Sequence, residues 1–434
     1  MALTVIISLL TFFGVTGSIL FKPSVTFKGF KISLFLIVAC VGAVLLLIFN
    51  LVPINTVWER LAADASINPI KILVLFFSMT FLSVYLDEVG FFSFLAGKAV
   101  ALSKKGQGTL FLIIYFLTAI LTVFTSNDVV ILTLTPFICY FSLNAKIDPV
   151  PFLVGEFAAA NTRSMALIIG NPTNIYLATS AGITFLEYLK VMILPTVVSG
   201  VVELLLILIL FRKKLKKPMT HYVSTEKIEK KADLTVGLIH LAVCLVFLVF
   251  SEYIGVPMWL VSFISALSLL LSSVIIRIVK KGGWGVLFGA LKRIDFKLAP
   301  FVIAMFVIVV CFEYQGISES LGRFISNGEP TFNFGIASFF SANVINNIPM
   351  SILFSSFPNA LFGSAVFKVV YASIVGSNVG AFLTPIGALA GIMFTNLTEK
   401  HGVKYGFKEF IKYGAAISIP TLFSALSVLF LILS

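Results

Sequence analysis

The chain is a succession of apolar segments about as long as a bilayer is thick, and this constrains it more than any other feature. A helix needs about 20 apolar residues to cross the hydrocarbon. Segments of that kind lie at 2–21, 31–53, 70–88, 150–180, 187–211, 233–252, 256–277, 298–316, 365–395 and 408–433. With 59% hydrophobic and only 12% charged residues among 434, the sequence cannot clothe a water-soluble domain, whose surface uses about 25% charged residues. The first apolar segment shows no small-residue cleavage site, so it reads as a retained membrane helix rather than a signal peptide.

Two further apolar stretches, 107–143 and 331–362, are interrupted midway by Ser126-Asn127-Asp128 and by Asn346-Asn347-Ile348-Pro349. Each reads as two short arms meeting at a polar tip, since irregular backbone at membrane depth is tolerated only within protein or beside a watery cavity. The alternative is four complete but short helices. The expected fold is therefore an all-α polytopic membrane protein of ten spanning helices plus two re-entrant hairpins.

One long hydrophilic segment, 212–233, opens with Arg212-Lys213-Lys214 and continues to Lys230-Lys231. It divides the chain into halves 1–211 and 234–434 and reads as a cytoplasmic linker by the positive-inside rule. Counting crossings outward from it places both termini outside the cytoplasm. Lys22, Lys28, Lys31, Lys98, Lys104, Lys105, Lys400, Lys404 and the segment 280–297 then fall inside. The net charge of +12 is gathered in these connectors. That pattern suits the anionic inner leaflet of a cell membrane and not nucleic acid. Cys40, Cys139, Cys244 and Cys311 are scattered through apolar runs, which points to neither a disulfide framework nor a metal site.

The halves echo each other. Asp87 lies in Leu86-Asp87-Glu88-Val89-Gly90-Phe91 as Glu313 lies in Phe312-Glu313-Tyr314-Gln315-Gly316-Ile317, and Glu187 and Glu409 head matching helices that contain Pro195-Thr196 and Pro420-Thr421. Inverted repeats with helices broken at matching places are the signature of secondary transporters, whose site lies at the midplane between the halves. The predicted breaks are Gly170-Asn171-Pro172-Thr173-Asn174 in the first half, and Gly376-Ser377-Asn378-Val379-Gly380 with Thr384-Pro385-Ile386-Gly387 in the second. Half-helix ends there would aim partial charges at the midplane. Together with the tips Ser126, Asn127 and Asp128 in one half and Asn343, Asn346 and Asn347 in the other, they form a candidate ion site. Asparagine offers a donor and an acceptor, so residue type alone does not choose between cation and oxyanion. Asp128 could carry a coupling proton, ligate a cation or cap the second hairpin arm. Glu156 and Arg163 lie seven residues apart, about two turns along one helix face. They read as an intramembrane ion pair, with Arg163 either attracting an anionic substrate or serving only as the partner of Glu156.

These segments resemble the arsenite/antimonite efflux permeases (ArsB type) of the ion transporter superfamily, which also holds sodium/proton antiporters and sodium-coupled carboxylate symporters. The resemblance rests on Leu86 to Phe92, Ser126 to Pro136, Gly170 to Ile175, Asn343 to Pro349 and Thr384 to Gly387, and it covers nearly the whole chain. It implies an inverted-repeat transporter moving a small ion by alternating access, with Asn127, Asn346 and Asn347 at hairpin tips and Asn171 to Asn174 and Asn378 in broken helices. The permeases tend to carry an acid where this chain has Asn161 and Asn378, and they look uncharged at the places of Glu156 and Arg163. Gain of an arginine and loss of acids favour an anion.

The function expected from sequence is secondary active transport of a small inorganic or metalloid oxyanion, of the arsenite/antimonite type. A sodium-coupled di- or tricarboxylate transporter, a sodium/proton antiporter and an ion channel are the alternatives. No HExxH, P-loop or nucleophile elbow points to an enzyme, and no cofactor is implied beyond sodium or proton coupling. The expected partners are the substrate ion and the bilayer. A homodimer is a further candidate, and the resemblance implies that a separate ATPase subunit can associate.

Overall fold

The computed structural model describes residues 1–21, 24–27, 30–62, 68–102, 106–218, 228–280, 283–357 and 365–434. The first half contributes α1 (Ala2–Phe21), α2 (Leu34–Ile48), α3 (Ile54–Ala62), α4 (Pro69–Glu88), α5 (Phe91–Leu102), α6 (Gln107–Phe124), α7 (Asn127–Asn144), α8 (Val150–Arg163), α9 (Pro172–Ser180) and α10 (Phe185–Leu215). The second contributes α11 (Lys231–Phe250), α12 (Met258–Lys280), α13 (Gly285–Arg293), α14 (Leu298–Tyr314), α15 (Ile317–Ile325), α16 (Pro330–Ile345), α17 (Asn347–Phe354), α18 (Ala365–Gly380), α19 (Leu389–Lys400) and α20 (Phe407–Leu433). Among the described residues the one sheet is an antiparallel ribbon of β1 (Ser24–Phe27) and β2 (Phe30–Ser33).

Local chemistry sets the ends. Asn68 accepts the amides of Ile70 and Lys71 at 2.9 and 3.2 Å ahead of Pro69, which starts α4 as an N-cap followed by proline does. Thr184 and Glu187 close a capping box at the head of α10. That helix then runs 31 residues, about 46 Å at 1.5 Å per residue.

Among the described residues eight helices are long and apolar enough to cross a membrane, so this is a multi-pass membrane protein. Seven of them coincide with expected spans. The eighth is α6, which the sequence suggested as a hairpin arm and which is 18 residues long. Of the remaining expected spans, 31–53 is the 15-residue α2, while 150–180 and 365–395 are broken into α8 with α9 and α18 with α19. Exposed apolar side chains such as Val197, Val201, Leu205 and Ile209 of α10 and Val243, Val246 and Phe247 of α11 form a surface suited to lipid. The expectations for Lys22, Lys28, Lys104 and Lys105, for 219–227 and 281–282, and for the end of the second hairpin at 358–362 lie outside the described residues.

Contacts between the halves come in pairs with the halves exchanged. Helix α2 packs on α14 and α12 on α4, α3 on α14 and α13 on α4, and α7 on α19 and α17 on α9, while α8 meets α18 and α10 meets α20. Charge reinforces two of these contacts. Arg293 of α13 binds Asp87 at 2.6 Å and Glu88 at 2.9 Å at the end of α4, and Arg60 of α3 lies 3.4 Å from Glu313 at the end of α14. Between α11 and α12, His240 packs with Nδ1 2.8 Å from the Val236 carbonyl and Nε2 3.1 Å from the Ser268 hydroxyl.

Candidate functional site

Helix α8 ends at Arg163, two short 3-10 turns follow at Ser164–Ala166 and Ile168–Gly170, and α9 starts at Pro172. Gly170 permits this course, since a Cβ there would lie 2.2 Å from the Ser164 carbonyl oxygen. Asn171 then caps α9, its Oδ1 accepting the Thr173 amide and hydroxyl, each at 3.1 Å. In the second half α18 ends at Gly380 and α19 begins only at Leu389. The two breaks face each other through buried amides and hydroxyls.

Asn378 is the hub. Its Nδ2 donates to Asn174 Oδ1 at 2.6 Å and to the Ile374 carbonyl at 2.8 Å, and its Oδ1 accepts from Ser164 Oγ at 2.8 Å and Asn171 Nδ2 at 3.2 Å. All four hydrogen-bonding positions of that amide are thus used. Asn174 Nδ2 donates to the carbonyls of Ser164 and Leu167, and Ser377 Oγ donates to Thr173 Oγ1 at 3.2 Å. The first hairpin tip joins through Asn127, whose Nδ2 donates to Asn161 Oδ1 at 3.1 Å. Asn127, Asn171, Thr173, Asn174, Ser377 and Asn378 therefore form one buried cluster with Asn161 and Ser164.

The second tip makes a separate cluster against the backbone of the second break. Asn346 holds φ at 70° and ψ at 154°, a conformation outside the αL well and otherwise found essentially in glycine. Its Nδ2 donates to the Ile386 carbonyl at 3.0 Å and its Oδ1 accepts the Ile348 amide. The Asn347 amide donates to the Gly387 carbonyl at 3.1 Å. Thr384 donates through its hydroxyl and its amide to Asn343 Oδ1 at 2.7 and 3.1 Å. Two buried amide oxygens are left without a partner among the described residues, Oδ1 of Asn127 and Oδ1 of Asn347. They sit at corresponding places, each on the first residue of the second hairpin helix. An unmet buried acceptor costs about 1–3 kcal/mol, so these oxygens are where a ligand gains most.

Two sequence expectations are corrected. The breaks and tips do not form one site, since Asn343, Asn346, Asn347 and Thr384 bond among themselves and to the backbone of the second break, apart from the Asn378 cluster. Glu156 and Arg163 are not paired: two turns of helix separate them by about 10 Å, and each finds a nearer partner. Glu156 accepts from Thr135 Oγ1 at 2.9 and 3.0 Å. Arg163 turns to α6 and α10, donating to the Thr196 carbonyl at 2.6 Å and the Tyr115 hydroxyl at 3.2 Å. There it fills the space left by Gly200, where a Cβ would come 1.5 Å from Nη1. Of the three roles open to Asp128, capping is not seen: Ser126 is the N-cap of α7 and no side-chain cap bond forms.

Sequence reasoning missed Ser164, which bridges the breaks, and the link from Arg163 to Glu203. Tyr115 donates to Glu203 Oε1 at 2.8 Å, and Thr162 Oγ1 donates to Oε2 of the same carboxylate. The available signal was Glu203 itself, a buried acid in an apolar span that required interior partners.

Comparison with known proteins follows the same lines. The citrate transporter family model matches residues 30–376. The arsenical pump membrane protein of Escherichia coli strain K12 is 27% identical over 423 residues, covering 91% of this chain and 93% of that protein. The arsenical pump membrane protein of Yersinia enterocolitica is 28% identical over 378 residues, covering 83% and 86%. The crystal structure of the Alcanivorax borkumensis YdaH transporter matches in fold with a TM-score of 0.59 at 15% identity, covering 98% of this chain and 97% of that one.

Proposed function

This chain belongs to the citrate transporter family, and from that premise we propose that it is a secondary active transporter that exports arsenite and antimonite as their neutral hydroxylated acids. The observation that carries the reading is the make-up of the cluster around Asn378, which is built of amides and hydroxyls, with no Lys or Arg donating into it among the described residues. Arsenous acid is uncharged near neutral pH and presents hydroxyls that both donate and accept, so it can replace the bonds that these amides and hydroxyls make to one another in this structure. An anion such as citrate would ask for a cationic partner, and the guanidinium of Arg163 is committed to α6 and α10. The preferred species is accordingly the neutral acid rather than the oxyanion. Relatives described as arsenical pump membrane proteins along nine-tenths of the chain support an arsenical as the substrate, whichever its protonation state.

Further parts of the proposal are topological and energetic. Halves 1–211 and 234–434 act as inverted repeats about the basic linker 212–233, with both termini outside, and the hairpin tips exchange access between the two sides. The unpartnered oxygens of Asn127 and Asn347 suit a coupling sodium ion, and Asp128 at the first tip suits a coupling proton. A second substrate reading, citrate or a related carboxylate, is favoured by the description of the matching family.

The test is flux into and out of proteoliposomes bearing the purified protein, with arsenite, antimonite and citrate offered in turn under a sodium or a pH gradient. Arsenite and antimonite are expected to move, and Asn378→Ala is expected to abolish flux while folded protein is still recovered. Movement of citrate alone would establish the carboxylate reading instead.

A further inference from the structure

We propose that Tyr115, Arg163 and Glu203 form a positioning cluster that sets affinity at the Asn378 site without touching the transported species. The inference rests on the reading of that cluster of amides as the transport site, and its geometry begins with four consecutive residues. Successive helical side chains are turned by about 100°, so residues three apart share a face while the two between them point away. Asn161 and Ser164 take the front, binding Asn127 of the first hairpin tip and Asn378 of the second half. Thr162 and Arg163 take the back, binding Glu203 and, through Tyr115 and Thr196, helices α6 and α10.

The back face is built as one unit. The Tyr115 hydroxyl accepts from Arg163 Nη2 at 3.2 Å and donates to Glu203 Oε1 at 2.8 Å, so it links the two charged groups that the bilayer would otherwise penalise. Arg163 also lies over the Tyr115 ring, 5.9 Å from its centroid. Tyr188 of α10 adds a fourth tether one residue further on, donating to the Met165 carbonyl at 3.0 Å. These bonds fix the last turn of α8 against α6 and α10, immediately before the chain unwinds. Ser164 occupies the next position, and its hydroxyl must reach Asn378 across the interface between the halves. A small rotation of that turn moves Ser164 and Asn161 together and opens two of the bonds that define the site.

Among the described residues α18 is held differently at the matching place, by close glycine contacts and by the uncharged Asn343 of α16, whose Nδ2 donates to the Gly380 carbonyl at 2.9 Å. Gly376 and Gly380 lie against the backbone of α16, with the Gly335 and Phe339 carbonyls 2.1 and 2.7 Å from where a Cβ would be. Among the described residues the charged cluster is therefore a feature of the first break, while the second is supported by close backbone contact and the Asn343 amide.

The experiment compares Arg163→Gln, Glu203→Gln, the double change and Tyr115→Phe in full-length purified protein. Each single charge change is expected to lower the melting temperature, because it strands the other charge in a buried place, and to raise KM for arsenite about tenfold with Vmax within about twofold. The double change is expected to recover the melting temperature while KM stays high. Tyr115→Phe, which keeps the ring, is expected to fold normally and raise KM by a smaller factor. Recovery of KM together with stability in the double variant would make the cluster a structural support only and overturn the proposal. So would an unchanged KM in the single variants. Hydrogen exchange gives a readout that needs no substrate: the amides of 164–171 should exchange about tenfold faster in the double variant, and those of 381–388 at the wild-type rate. If the wild type transports neither arsenite, antimonite nor citrate, faster exchange at 164–171 still supports the positioning role, and unchanged exchange there overturns it.

Discussion

At the first break, side chains stand between α8 and its neighbours, whereas at the second α18 lies on α16 backbone to backbone. A Cβ at Gly155 of α8 would meet the ring of Phe111, and one at Gly200 of α10 would meet the guanidinium of Arg163. In contrast, a Cβ at Gly376 of α18 would sit 2.0 Å from Ser338 Oγ and 2.1 Å from the Gly335 carbonyl, and one at Gly414 of α20 would sit 2.4 Å from the Phe382 carbonyl. Small residues of this kind let membrane helices approach closely, where dispersion and weak Cα–H···O contacts replace a hydrophobic drive that lipid does not supply. The difference teaches that a matched order of helices does not require matched chemistry. One half fixes its broken helix with long charged and aromatic side chains that can repack, and the other mainly with close glycine contacts, aided by the short amide of Asn343.

The sharpest way to break this comparison is to add a methyl group to each. Gly376→Ala drives a Cβ into the backbone of α16, where relief requires the helices to part, and is expected to cost about 3 kcal/mol, the upper range of overpacking. Folded protein should largely vanish from size-exclusion profiles. Gly200→Ala meets only the end of a long side chain, which can swing aside at the cost of its bonds to Thr196 and Tyr115. That variant should remain folded with a lowered melting temperature. Equal losses of folded protein in the two variants would remove the distinction between the halves.

How much of this was legible in the sequence follows from the range of the forces involved. Most spans and both breaks were readable because they depend on local composition: twenty apolar residues, or Gly-Asn-Pro in the middle of such a run, carry their own physics. The residues of the Asn378 cluster were readable as polar interruptions at matching places. Their partners were not, because a hydrogen bond from Ser164 to Asn378 spans 214 positions and depends on how two helices dock. Arg163 was assigned the wrong acid for the same reason. Glu156 is close along the helix, but Glu203 is brought near by packing of α10, and no spacing rule reveals it. The glycines of α16 and α18 gave no warning either, since a glycine in an apolar helix reads the same whether it faces lipid or another backbone.

The charge clamps at the ends of α4 and α14 sharpen the comparison at the edges of the fold. Arg293 holds two carboxylates, one of them the buried Asp87, while Arg60 is 52% exposed and holds one at 3.4 Å. Arg293→Gln leaves Asp87 without its cation and is expected to cost about 3 kcal/mol, the low end for breaking a buried pair. Arg60→Gln should cost no more than about 1 kcal/mol, as for other exposed pairs. Thermal unfolding in detergent would order the two variants, and a larger shift for Arg60→Gln would show that the exchanged contacts are not ranked by burial.

The smallest effect expected is a pH dependence at the entrance to the second hairpin. Helix α6 follows Gly106, an N-cap without a side chain, whereas α16 is capped by Glu329, whose Oε1 accepts from the Thr331 hydroxyl at 2.9 Å and amide at 3.3 Å and lies 3.4 Å from Lys368 Nζ of α18. Partial burial raises the carboxyl of Glu329, but the Thr331 bonds and the Lys368 ammonium outweigh it and hold the group below the ordinary carboxylate range. A depressed acid contributes stability that is present in full above its unfolded pKa and fades as pH falls through the folded one. Wild type should therefore melt slightly higher than Glu329→Gln at neutral pH, and the gap should close on acidification below the ordinary carboxylate range. Salt should narrow the gap as well, because the Lys368 contribution is screened at this partly exposed place. A gap that stayed constant down to low pH would mean that Glu329 caps α16 by shape alone, and that the second hairpin is no more dependent on charge at its entrance than the first.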